Sequence, residues 1–144
     1  MQKLSPHKLD SMVHDKKIPI RLAFIKPDGT PNVISLWYEI ENEKIFCATQ
    51  KTAKIVSYLK NNPKCGFEIA ADKPPYKGVR GDGAVKIIEE KGAEILETLM
   101  KKYLGEKEST LSKFLRDNSK SEVAIEITPN KLFNYDYSKR MKDA

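Results

Sequence analysis

The chain has 144 residues, 40% of them hydrophobic and 32% charged, with a formal net charge of +6. That size fits one domain spanning residues 1–144, and the apolar share is too high for a disordered chain. No apolar run of 18 residues and no secretory leader pattern occurs, which argues against a helical membrane span and sets the expectation of a cytoplasmic protein without a membrane partner.

In chain order, Ser5-Pro6 reads as a helix start, with Leu9, Met12 and Val13 at helical spacing and an expected end near Asp15. Ile20 to Ile25 is an apolar-rich strand. Lys26-Pro27-Asp28-Gly29-Thr30 is a turn, because proline presets one dihedral and glycine accepts the left-handed region. Asn32 to Ile40 reads as a second strand, Glu41-Asn42-Glu43 as a turn and Lys44 to Thr49 as a third strand, together an antiparallel meander. Thr52 is expected to cap a helix through Asn61, with Ile55, Val56 and Leu59 on its buried face. Cys65 to Ala71 and Tyr76 to Ile88 follow as strands four and five, the latter interrupted by Gly78, Gly81 and Gly83. Glycines inside a strand point to a bulge or to close approach by a ligand or backbone. Helices are expected from Glu90 to Leu104 and from Thr110 to Asn118. Glu122 to Thr128 alternates apolar and polar residues and reads as a sixth strand, with Phe133, Tyr135 and Tyr137 extending the alternation into the tail. The predicted fold is mainly β: a six-stranded antiparallel barrel with inserted helices, closure being the usual way to remove exposed edges.

Motifs for nucleotide phosphates, dinucleotides and nucleophile elbows are absent. His7 and His14 are the only histidines, and Cys47 and Cys65 lack metal-ligand spacing, so no metal site is expected. The cysteines read as reduced strand residues. The net positive charge favours anionic partners, yet no basic block with interleaved aromatics appears, so nucleic acid is not an expected partner. A bound cofactor is the better candidate for difficult chemistry. Thr49-Gln50-Lys51-Thr52-Ala53-Lys54 leaves a strand and opens a helix, where free backbone N–H groups, two hydroxyls and two ammonium groups could hold a phosphate. A capped helix with solvated lysines explains the same residues. Arg80 sits among glycines that would let a flat ligand lie on the backbone, or that simply allow a barrel bend. Trp37 and Tyr38 read as core or interface residues before ligand-stacking ones.

These segments also resemble a known family, the flavin-binding split barrels related to pyridoxamine 5′-phosphate oxidase. Asp28 to Tyr38 is similar to that family's second strand, Thr52-Ala53-Lys54 to its phosphate-binding helix start, Pro74 to Arg80 to a P-P-Y-x-G-V-R segment, and Gly83-Ala84-Val85 to the continuation of that strand. The resemblance implies an FMN-binding split barrel and a homodimer with flavin at the interface, acting as an oxidoreductase on a small molecule. It implies that Val33, Ile34 and Ser35 face the flavin ring through backbone groups. Thr49, Lys51, Thr52 and Lys54 would hold the phosphate, and Val79 and Arg80 would approach from the fifth strand. The deazaflavin F420 is the alternative cofactor, and a non-enzymatic flavin- or haem-binding module the alternative role. Ala53 and Gly78 depart from the family's Arg and Gln, which argues against activity on a pyridoxine phosphate.

Overall fold

The computed structural model describes residues 2–13 and 17–142. Its strands are β1 (Gln2–Lys3), β2 (Ile20–Ile25), β3 (Pro31–Leu36), β4 (Glu39–Glu41), β5 (Lys44–Gln50), β6 (Lys64–Ala70), β7 (Lys77–Ile88) and β8 (Glu122–Asp136). Four α-helices join them: α1 (Leu9–Val13), α2 (Lys54–Asn61), α3 (Gly92–Leu104) and α4 (Thr110–Asp117). The strands form one antiparallel sheet in the order β3-β2-β6-β7-β8-β5-β4, and β1 pairs with the late part of β8. β3 and β4 are the sheet's edges, so the barrel is split rather than closed by hydrogen bonds. Among the described residues no helix is long and apolar enough to cross a membrane.

Period-two patterning explains most of the strands. Ile20, Leu22 and Phe24 of β2 and Cys65, Phe67 and Ile69 of β6 turn inward, where they meet Val79, Val123, Ile125 and Ile127 in the main core. A smaller core lies outside the barrel, where Phe46 and Ala124 are covered by Ile95 and Leu99 of α3. β5 and the start of β8 are therefore buried on both faces.

All six expected strands are present, and the count differs at two places. Asn32–Ile40 is two strands, not one. The polypeptide leaves the ladder at Trp37-Tyr38 because α3 supplies other partners: the Tyr38 N–H donates to the Tyr103 hydroxyl (3.3 Å), and the Lys102 ammonium donates to the Tyr38 carbonyl (2.8 Å). The second addition is β1. The last strand also runs on to Asp136 and so includes Phe133 and Tyr135. The meander turns follow their local chemistry. Asp28 accepts from the Thr30 N–H and Gly29 has φ +87°, while Asn42 and Glu43 take φ of 51° and 66° in a two-residue hairpin.

Three expected helix starts change. At α3, residues 89–91 form a 3₁₀ turn and the α-helix begins at Gly92 instead of Glu90. Residues 6–8 form a 3₁₀ turn that leads into α1, and the expected end at Asp15 lies outside the described residues. Thr52 does not cap α2. The cap position is Ala53, in an extended conformation with no side-chain cap, because the turn that closes from the Ala53 N–H to the Gln50 carbonyl (3.0 Å) delays the helix to Lys54.

The β7 glycines have a backbone reason. A Cβ at Gly81 would lie 2.1 Å from the Lys131 carbonyl oxygen, and one at Gly83 would lie 2.4 Å from that of Thr128. Both flank the register shift at Asp82/Gly83 against β8. The space beside them is filled by the neighbouring strand, so they do not leave a bed for a flat ligand.

Candidate functional site

The split between β3 and β5 opens into a cavity of about 730 Å³. Ser35 and Trp37 line one side, Ala48, Thr49 and Gln50 of β5 the floor, and Leu96 and Leu99 of α3 the back. Leu111, Phe114 and Leu115 of α4 form an apolar outer wall, and Phe114 remains 62% exposed. Trp37 is set by its neighbour: its ring stacks on Tyr103 with centroids 5.1 Å apart and planes inclined by 7°. α4 is held by a reciprocal Ser109–Ser112 capping box, and Arg116 bridges to Glu97 (3.2 Å) and Glu108 (3.2 Å).

Among the described residues, one charged side chain lines this cavity. Glu122 begins β8 opposite Gln50 in the ladder and is only 7% exposed. Gln50 donates its side-chain N–H to Glu122 and also to the Asn118 carbonyl (3.2 Å). Burial pushes the Glu122 carboxyl above its ordinary value, and the Gln50 hydrogen bond opposes that in part.

Gln50 is also the residue before the basic turn. Lys51, Thr52 and Lys54 are exposed and follow the cavity floor directly into the start of α2, whose first N–H groups have no intrahelical partner. The Lys51 backbone N–H is occupied by the Ser121 carbonyl (2.8 Å). What remains there for an anion is the two ammonium groups, the Thr52 hydroxyl and the helix N-terminus.

The remaining expected site residues fall elsewhere. Val33 is 62% exposed on the edge strand, Ile34 packs against the barrel core, and Ser35 accepts from Arg21 (2.5 Å). Val79 is fully buried and lines a second cavity of about 560 Å³ with Asn134, Tyr135, Ile69 and Met12. Arg80 lies with its guanidinium 5.5 Å from the Tyr135 ring centre, and Tyr135 donates to Glu68 (2.5 Å). Ladder pairs put Ser35, Arg21, Glu68 and Arg80 in one row across the sheet, which separates Ser35 from Arg80 by three strand spacings, about 14 Å. Thr49 pairs with Val123, whereas Val79 pairs with Asn134, eleven residues further along β8. The chain thus brings Ser35 and Thr49 together beside Lys51, Thr52 and Lys54, and keeps Val79 and Arg80 apart from them.

Sequence patterning assigns no site role of their own to Gln50, Glu122, Tyr135 or the apolar face of α4. Glu122 occupies a polar position of an alternating strand, and its burial depends on α3 crossing that face. Both cysteines are buried and free, with no group of three or more His, Cys, Asp or Glu placed to hold a metal among the described residues. Burial raises both thiols, Cys65 to about 11.

No family model matches the chain, and no curated protein matches its sequence. Solved structures do match. Protein Rv2991 of Mycobacterium tuberculosis is 20% identical, with 95% of this chain and 88% of that one covered and a TM-score of 0.77. An F420 reductase is 20% identical over 86% and 94% of the two chains, with a TM-score of 0.72. A Listeria innocua protein provisionally assigned as a pyridoxamine 5′-phosphate oxidase is 17% identical over 81% and 86%, with a TM-score of 0.61. The mainly β antiparallel sheet, the inserted helices and these likenesses together give the chain the split-barrel fold of the pyridoxamine-5′-phosphate-oxidase-like proteins.

Proposed function

We propose that the protein binds FMN in the split of the barrel and works as a flavin-dependent oxidoreductase on a small molecule. The observation that carries this reading is the continuity, through Gln50, of an apolar cavity of about 730 Å³ with the basic start of α2. A flat ring fits the first and a phosphate the second. Lys51, Thr52 and Lys54 would hold the phosphate by charge and hydrogen bonds, while Trp37, Ser35 and Thr49 would orient the ring, with Leu96, Leu99 and Phe114 excluding water. When bound, the flavin supplies two-electron transfer that the chain's own side chains do not offer.

The active form in this reading is a homodimer. β3 has an unpaired edge that carries exposed Val33, and α4 exposes Leu111 and Phe114 beside the cavity. A second copy covering these surfaces would close the cavity, and it could bring its own Val79, Arg80 and Tyr135 toward the ligand, which one protomer's ladder register keeps away.

Absorbance of the purified protein and titration with FMN test the proposal. A colourless protein that fails to bind FMN refutes it. F420 is the second reading, favoured by the likeness to an F420 reductase. Displacement of FMN by F420 at lower concentration would select it. Reduction of the bound flavin by NADH, NADPH or a partner reductase separates an enzyme from a flavin-storage module.

A further inference from the structure

We infer that Glu122 is the group that recognises the ligand's polar edge in the barrel split, accepting an N–H from a planar heteroaromatic ring that carries no negative charge at that edge. The inference rests on the flavin reading and deepens it, since an isoalloxazine presents one such N–H, at N3.

Three observations converge. Glu122 is buried at 7% exposure and yet lines the cavity. One of its oxygens accepts from Gln50; the other takes no hydrogen bond from a described residue and is not fully closed off, so it stays open to the cavity. Among the described residues, the groups facing it across the cavity are not ionisable: Ser35 and Trp37 on the β3 side, Thr49 and Gln50 on β5, apolar residues on α3, and Asn118 with apolar residues on α4. A carboxylate taken out of water without a cation is costly unless hydrogen bonds replace its hydration. Gln50 supplies one. A ligand N–H supplies another, in a setting of low polarity where such a bond discriminates strongly between rings that have it and rings that lack it. An anionic edge would meet like charge with no compensating side chain in the lining.

The sign of the pH dependence follows. An accepted N–H favours the ionised carboxyl, so ligand affinity should fall as pH is lowered through the Glu122 titration, which burial has raised. Lumiflavin tests this because it has the ring and lacks the phosphate, so Lys51 and Lys54 do not enter. Its affinity, and that of its N3-methyl derivative, would be measured by fluorescence quenching between pH 5 and 8, for wild type and Glu122→Gln. N3-methylation should weaken binding to the wild-type protein about tenfold, the loss of one bond to a charged acceptor. In Glu122→Gln that difference should shrink and the pH dependence should vanish. If lumiflavin binds but neither N3-methylation nor pH changes its affinity, the role of Glu122 is overturned while the flavin reading stands. The methylated probe decides this on wild-type protein, whatever the folding of the variant. If neither lumiflavin nor FMN binds, both are overturned.

Discussion

Gly92→Ala should destabilise the protein, against the trend for its kind of substitution. Gly92 opens α3 at φ −58° and ψ −51°, which any residue adopts. In an ordinary helix, alanine would be more stable by about 0.5–1 kcal/mol. Here a Cβ would lie 1.9 Å from the Glu122 carbonyl oxygen and 2.2 Å from its carbon. These are backbone atoms of β8, held there by its pairing with β5, so no side-chain rotation relieves the clash. Ordinary contact needs roughly 3.5 Å, so the start of α3 must retreat by about 1.5 Å. That retreat loosens Ile95 and Leu99 against Phe46 and Ala124. Overpacking costs about 1–3 kcal/mol, with larger values where backbone must move, and a net loss of about 3 kcal/mol is expected. In a chain of this size that lowers Tm by about 10 °C. Calorimetric melts would be compared with Lys101→Ala, an exposed change on the same helix expected to stay within about 0.5 kcal/mol. A Tm for Gly92→Ala equal to or above wild type would refute the close seating of α3 on β8.

Lys54→Ala should raise the Kd for FMN about tenfold and leave that for lumiflavin unchanged, because it removes one charge-assisted phosphate contact; equal losses for both would move Lys54 to the ring. Native protein at pH 8 should resist thiol labelling at both cysteines and label fully once unfolded, because burial keeps the thiols protonated. The same shift affects stability. A Cys65 thiol raised from 9.0 to about 11 holds its proton in the folded state after the unfolded chain has lost it, so stability is fully present below pH 9 and is lost as pH rises through about 11. Denaturant melts at pH 8, 9.5 and 11 would show it, and a Cys65→Ala variant should lose part of the slope. Ser109→Ala should cost about 1 kcal/mol by removing the α4 cap, and should weaken ring binding if α4 walls the cavity.

Much of this protein is legible in its residues. Alternation marks β2, β6 and β8, the Pro27-Asp28-Gly29 turn sets the first hairpin, and the apolar stripe of Ile95, Leu96, Leu99 and Met100 marks α3. These depend on periods and dihedral preferences that neighbouring residues determine among themselves. The basic turn from Lys51 to Lys54 is visible for the same reason, although its helix has its cap position one residue later, at Ala53 and not Thr52, because a tight turn intervenes. The order of strands in the sheet is a different kind of fact. It decides that Val79 and Arg80 lie apart from Ser35 and Thr49, that the β7 glycines admit the β8 backbone, and that Tyr38 leaves the ladder for Tyr103 and Lys102. Local sequence assigned Glu122 to a polar strand face. Only the crossing of α3 over that face turned it into a buried carboxyl at the floor of a cavity, since burial comes from residues brought together across the fold.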